Sequence, residues 1–83
     1  MPHYVYILES LVDGSYYIGY TMNPLVRLQD HNDGRSRYTS RKRPWKLVYS
    51  EQYSSKSEAI KRERFLKKQR NKEFYRSLII NNN

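Results

Sequence analysis

His3-Tyr4-Val5-Tyr6-Ile7-Leu8-Glu9 and Tyr16-Tyr17-Ile18-Gly19-Tyr20 are two runs of aromatic and β-branched residues, with Asp13-Gly14 between them. Such runs suit a pleated, half-buried strand, and Asp-Gly suits the positive φ of a tight reversal, so the stretch reads as a β-hairpin. With Asp13-Gly14 as a two-residue turn, Val12 faces Ser15, Ser10 faces Tyr17, Leu8 faces Gly19 and Tyr6 faces Thr21. Alternation then places Val5, Ile7, Ile18 and Tyr20 on one face, suited to the core. Tyr4, Tyr6, Leu8, Tyr17, Gly19 and Thr21 share the other face. A glycine within a strand, here Gly19, marks a bulge or a place where something approaches the backbone closely.

Outward from the hairpin, Asn23-Pro24 is a helix start, with Asn as N-cap and Pro in the first turn. The helix is expected to run to about His31, with Leu25 and Leu28 as its apolar edge and Arg27 and His31 projecting together one turn apart. Residues 32 to 43 are polar and basic without an apolar period, and read as a mobile loop. Pro44 opens a third strand to about Tyr53, in which Trp45, Leu47 and Tyr49 alternate with Lys46, Val48 and Ser50. Trp45 is expected in the core rather than as a platform for stacking bases. Ser55-Lys56-Ser57-Glu58 is a capping box that introduces a helix over residues 56 to 69. Its inward stripe is Ala59, Ile60, Glu63 and Leu66. Asn71 caps a last helix carrying Phe74, Leu78 and Ile79. The order is β-β-α-β-α-α, an α+β domain over residues 1 to 80 with a fraying tail at residues 81 to 83.

The chain has 83 residues, 37% apolar and 29% charged, and nine Tyr, two Phe and one Trp supply the bulk of a thin core. There is no cysteine, which excludes disulfides and thiolate-held metals, and two histidines alone make a poor cage, so any metal must rest on oxygen ligands. No apolar run approaches a membrane span and no signal peptide is evident; the expected compartment is the cytoplasm, away from membranes. The net charge is +8. Residues 1 to 34 hold one basic residue against four acids, whereas residues 35 to 83 hold fifteen against four. This is the footprint of a polyanion binder, set against the plainer reading of a well-solvated basic surface. Arg35, Arg37, Arg41, Lys42 and Arg43 of the loop, with Lys61, Arg62, Arg64, Lys67 and Lys68 of the helix, are the candidate phosphate contacts.

An aromatic pair on one hairpin face, an Arg and a His one turn apart, and a carboxylate within an apolar stripe make chemical sense as one site. Phosphodiester hydrolysis needs a hard divalent cation, which a carboxylate anchors while waters and substrate oxygens complete its shell. It needs a cation over the non-bridging oxygens, for which the fork of Arg27 is suited. It also needs a proton acceptor near the attacking water, a tyrosine or His31. The plainer readings are half-buried sheet tyrosines, a solvated Arg and His face, and Glu63 as an ion-pair partner of Arg62, Arg64 or Lys67.

Tyr4-Val5-Tyr6-Ile7-Leu8 resembles the first signature of the GIY-YIG nuclease superfamily, and Tyr17-Ile18-Gly19 is the second signature itself. The ten residues between Tyr6 and Tyr17, with Arg27, His31-Asn32, Gly34, Pro44-Trp45 and Glu63, extend the resemblance over nearly the whole chain. It is strongest toward the small stand-alone bacterial members. The resemblance implies a three-stranded antiparallel sheet flanked by helices, and an endonuclease that cuts DNA, structure-selectively, in repair or recombination. It further implies that Glu63 holds Mg²⁺ or Mn²⁺, that Tyr6 and Tyr17 position or deprotonate the water, that Arg27 stabilises the phosphate, and that His31 assists proton transfer or holds a tyrosine. Two departures stand out: Tyr4 occupies the first position of the GIY triplet, and the Asn that many members carry after the metal-binding Glu has no clear match. RNA binding and a protein partner or targeting subunit are compatible with so small a chain. The rival readings are a non-catalytic nucleic-acid-binding module of the same fold, and a basic protein that docks an acidic partner.

Overall fold

The computed structural model describes residues 1–81; the last two positions of the expected fraying tail lie outside the described residues. In chain order the elements are β1 (His3–Ser10), β2 (Tyr16–Thr21), α1 (Pro24–Asn32), β3 (Trp45–Tyr53), α2 (Lys56–Gln69) and α3 (Lys72–Asn81), with a short 3₁₀ turn at Ser40–Lys42. The three strands form an antiparallel sheet in the order β2-β1-β3.

The central strand β1 is apolar on both faces, and both are covered: Val5, Tyr6, Ile7 and Leu8 are each at most 1% exposed. Burying each of these stabilises the fold by about 1.5–3 kcal/mol. On one face Val5, Ile7, Ile18 and Tyr49 pack with Ala59 and Leu66 of α2 and Tyr75 of α3. On the other, Tyr6, Leu8 and Trp45 pack with Tyr17, Leu28 and Leu47. The face expected to lie outside the main core is therefore the floor of a second, smaller one.

Two expectations about register need correction. The hairpin pairs Tyr6 with Gly19 and Leu8 with Tyr17, two residues from the expected alignment. Asp13-Gly14 is not a two-residue turn, because Ser10 Oγ accepts from the Val12 and Asp13 N–H groups while Asp13 Oδ1 accepts from Ser15 N–H and Oγ–H, holding a wider loop. A slip of two preserves alternation, so the assignment of faces survives. In β3, Leu47 pairs with Leu8 and Tyr49 with Ile7, so a bulge at Val48 breaks the expected alternation. Trp45 and Leu47 face α1, and Tyr49 faces α2.

Segment 32 to 43 is not the free loop that its composition implies. The Asn32 amide donates to the Trp45 carbonyl (3.0 Å), and the Trp45 N–H donates to Asn32 Oδ1 (2.6 Å), pinning the loop's ends together. Thr39 in its middle is fully buried, and its carbonyl accepts from the Trp45 indole N–H (2.9 Å). Leu25, expected on the packed edge of α1, faces solvent, and Leu28 alone packs inward.

Ser55 caps α2 by accepting from Glu58 N–H (3.2 Å), as the capping-box sequence predicts. The helix ends on Arg70 in the left-handed conformation, φ 47°. The Tyr75 hydroxyl donates to the Leu66 carbonyl (2.6 Å) and accepts from Arg70 N–H (3.1 Å), satisfying groups the helix end would otherwise leave open.

Candidate active site

Tyr6, in the central strand, is where the predicted residues meet. Its ring lies across Gly19 of β2, so closely that a Cβ on Gly19 would overlap the phenol hydroxyl and its ring carbons. The hydroxyl lies 3.1 Å from His31 Nε2. His31 is fully buried, and its Nδ1 lies 2.7 Å from Thr39 Oγ1. Because the Thr39 hydroxyl donates to the Ser36 carbonyl (3.4 Å), it accepts from His31 Nδ1–H, which leaves the Nε2 lone pair to accept the Tyr6 proton. Burial, and next the nearby charge of Arg27, hold the His31 pKa below its ordinary value, as a neutral imidazole in that tautomer requires. Burial, with Tyr17 beside it, pushes the Tyr6 pKa up to about 12, so the phenol keeps its proton at neutral pH.

Tyr17 stands edge-on to His31 at 4.9 Å between ring centroids and 6.4 Å from the Tyr6 ring. Arg27, from α1, and Glu63, from α2, both lie close enough to the Tyr6 hydroxyl for their charges to act on its proton, Arg27 favouring its loss and Glu63 opposing it. The structure therefore packs Tyr6, Tyr17 and His31 against one another, with Arg27 beside the Tyr6 hydroxyl and Glu63 acting on it through its charge. Glu63 comes from the helix on the opposite face of the sheet. From there the Glu63 carboxylate acts on the Tyr6 hydroxyl through its charge.

Arg27 is 3.6 Å from Asp30 and Glu63 is 3.2 Å from Lys67, pairs one helical turn apart. Each is worth only a few tenths of a kcal/mol, so neither holds its residue against a phosphate or a metal. Among the described residues no three His, Cys, Asp or Glu side chains cluster. The donor set nonetheless fits Mg²⁺ or Mn²⁺, which take one or two carboxylates and complete their shell with water and substrate oxygens. Asn71 is engaged elsewhere: its Oδ1 caps α3 by accepting from Glu73 N–H (2.9 Å).

The basic residues divide. Arg35, Arg37, Arg41, Lys61, Arg64 and Lys68 are exposed. Lys42 pairs with Asp13 (3.3 Å), and the Arg43 guanidinium folds over Gly34 toward the Asn32 carbonyl (3.5 Å). Arg62 is committed inside the fold. Its guanidinium forks onto Glu51 at 2.9 and 3.0 Å, and Glu51 also accepts from Tyr49 and Tyr53. Burial alone would raise the Glu51 pKa, but these hydrogen bonds outweigh it and hold the carboxyl below its ordinary value. Thr39, which fixes the His31 tautomer, was not legible in the sequence: one Thr in a polar loop carries no signal of burial.

The sequence profile of the GIY-YIG catalytic domain matches residues 2–76. The chain is 49% identical over 76 residues to a UPF0213 protein of Bacillus licheniformis, a match covering 88% of this chain and 77% of that one. It is 52% identical over 62 residues to a UPF0213 protein of Staphylococcus haemolyticus, covering 74% of each. Its fold is similar to the solution NMR structure of a UPF0213 protein from Bacillus halodurans, at a TM-score of 0.57 and 38% identity over 95% of this chain and 83% of that one. The chain belongs to the GIY-YIG catalytic-domain family, a nuclease superfamily, and its small bacterial relatives are UPF0213 proteins. No described helix is long and apolar enough to cross a membrane.

Proposed function

We propose that this chain is a metal-dependent endonuclease that hydrolyses DNA phosphodiester bonds, selects its substrate by structure, and serves repair or recombination. The observation that carries this reading is the gathering of an arginine, a carboxylate, a neutral histidine and a second tyrosine around the Tyr6 hydroxyl.

In this reading Glu63 would hold Mg²⁺ or Mn²⁺, which when bound would supply Lewis acidity to the phosphate. Arg27 sits over the non-bridging oxygens, where its fixed fork matches the phosphate. Tyr6 gives its own proton to His31 Nε2 and so turns an oxygen lone pair toward the attacking water. As the water loses a proton to that oxygen, the phenol proton moves to His31 Nε2. A tyrosine with a pKa of about 12 thereby acts without ever standing free as phenolate. Thr39 keeps the other side of the ring protonated, and Tyr17 holds the imidazole plane from its edge.

The test is cleavage of labelled single-stranded, duplex, flap and branched DNAs with Mg²⁺ or Mn²⁺, comparing wild type with Glu63→Gln and Arg27→Ala. Metal-dependent cutting that falls by about 10² or more in both variants, with binding retained, is expected. No cutting of any substrate, with salt-sensitive binding indifferent to Glu63→Gln, would replace this reading with a non-catalytic binding module.

A further inference from the structure

Beside Tyr17 a cleft of about 470 Å³ opens along the β2 edge, lined by Tyr16, Tyr17, Tyr38, Tyr75, Lys67 and Arg70 among others. That volume suits a single small ligand. Its walls come from separate parts of the chain: the edge strand, the loop after α1, the end of α2 and the start of α3. Among the described residues, aromatic rings and two cations line it, and no acid does. Tyr38 is 78% exposed, its ring 6.0 Å from that of Tyr17. The next residue, Thr39, is buried and hydrogen-bonded to His31, so Tyr38 is carried on an anchored segment with little ordering left to lose on binding. Neither apolar core includes the Tyr38 ring.

We propose that this cleft binds one unpaired nucleotide of the substrate strand, its base against Tyr38 and its phosphate toward Lys67 and Arg70, next to the bond held at Tyr6. Rings offer a π-face to any base, and Lys and Arg meet the flanking phosphate. A base inside a duplex has both faces covered by its neighbours, so only an unstacked one can lie here. The chain therefore prefers strands that present an unpaired nucleotide beside the cleavage position. This proposal rests on the nuclease reading.

Binding without metal separates the two. The full chain, in EDTA, is titrated into single-stranded DNA carrying 2-aminopurine, into the same strand as duplex, and into a strand with an abasic analogue at the probe position. The expected result is quenching of 2-aminopurine in the single strand and weaker binding of the abasic strand. Tyr38→Ala is expected to weaken single-strand binding about five- to fiftyfold and to abolish quenching, with duplex binding unchanged. Tyr38→Phe, which keeps the ring, is expected to behave as wild type. RNA strands of the same sequence, run in parallel, show which sugar the cleft accepts; ring-dependent quenching with either supports the proposal. Equal single-strand affinity and quenching in Tyr38→Ala would overturn it while leaving Glu63-dependent cleavage untouched. A wild-type chain that binds no oligonucleotide would overturn the nuclease reading and this proposal together.

Discussion

Gly19 is a glycine because the Tyr6 ring occupies the space a side chain would need. That ring cannot step aside: it is 1% exposed and its hydroxyl is bonded to His31. Gly19→Ala is therefore expected to destabilise the protein by about 1–3 kcal/mol in urea unfolding. It should also lower cleavage about a hundredfold, like Tyr6→Phe, because either change takes the hydroxyl from its place. Retained activity with a displaced melting point would show that the position of Tyr6 matters only for packing. Much of this scale was legible beforehand. A glycine within a strand announces a close approach, and the shared face of Tyr6 and Tyr17 follows from alternation, which a register slip of two cannot alter. The role of Thr39 was not, since what buries it is the meeting of His31 with Trp45, residues brought together only by the fold.

Among the elements, the placing of α2 sets how strongly the Glu63 charge acts on Tyr6, and the forked pair between Arg62 and Glu51 ties that helix to β3 one residue away from Glu63. Glu51 has a folded pKa below its unfolded value, so its contribution to stability is present above about pH 4.5 and is lost as pH falls through the folded value. Glu51→Gln is expected to lower stability at pH 7, leaving Arg62 without its charge partner, and to flatten the acid limb of the stability profile below pH 4.5. Thermal melts of both proteins from pH 3 to 7 check this; parallel curves would remove Glu51 from the account of acid sensitivity. Element types and caps were readable because Asn23-Pro24, Ser55 and Asn71 act on their nearest neighbours. The turn width and the bulge at Val48 were not: the first depends on side-chain bonds inside the loop, the second on which of two cores each β3 residue joins.

For the whole molecule, fifteen basic residues against four acids after position 34 make non-specific attraction to a polyanion the first event in binding. The logarithm of the binding constant for DNA should fall linearly with the logarithm of salt concentration. Lys61→Ala and Lys68→Ala are each expected to reduce that slope by about 1 if their exposed ammonium groups sit on phosphates. Arg62→Ala should instead lower stability. Fluorescence anisotropy across a salt series separates the two effects, and an unchanged slope in both lysine variants would move the contact surface to the loop after α1.

Four of the five converging residues lie within the first 31 positions, and the fifth, Glu63, arrives on a helix from the other side of the sheet. On the reading proposed above, a chain still emerging from the ribosome is harmless to the nucleic acid around it. Its basic loop can already attract a strand, but the carboxylate joins the tyrosines only when α2 has been made and has docked. On that reading a chain that ends before residue 63 lacks the carboxylate that would hold the metal, and would not cut.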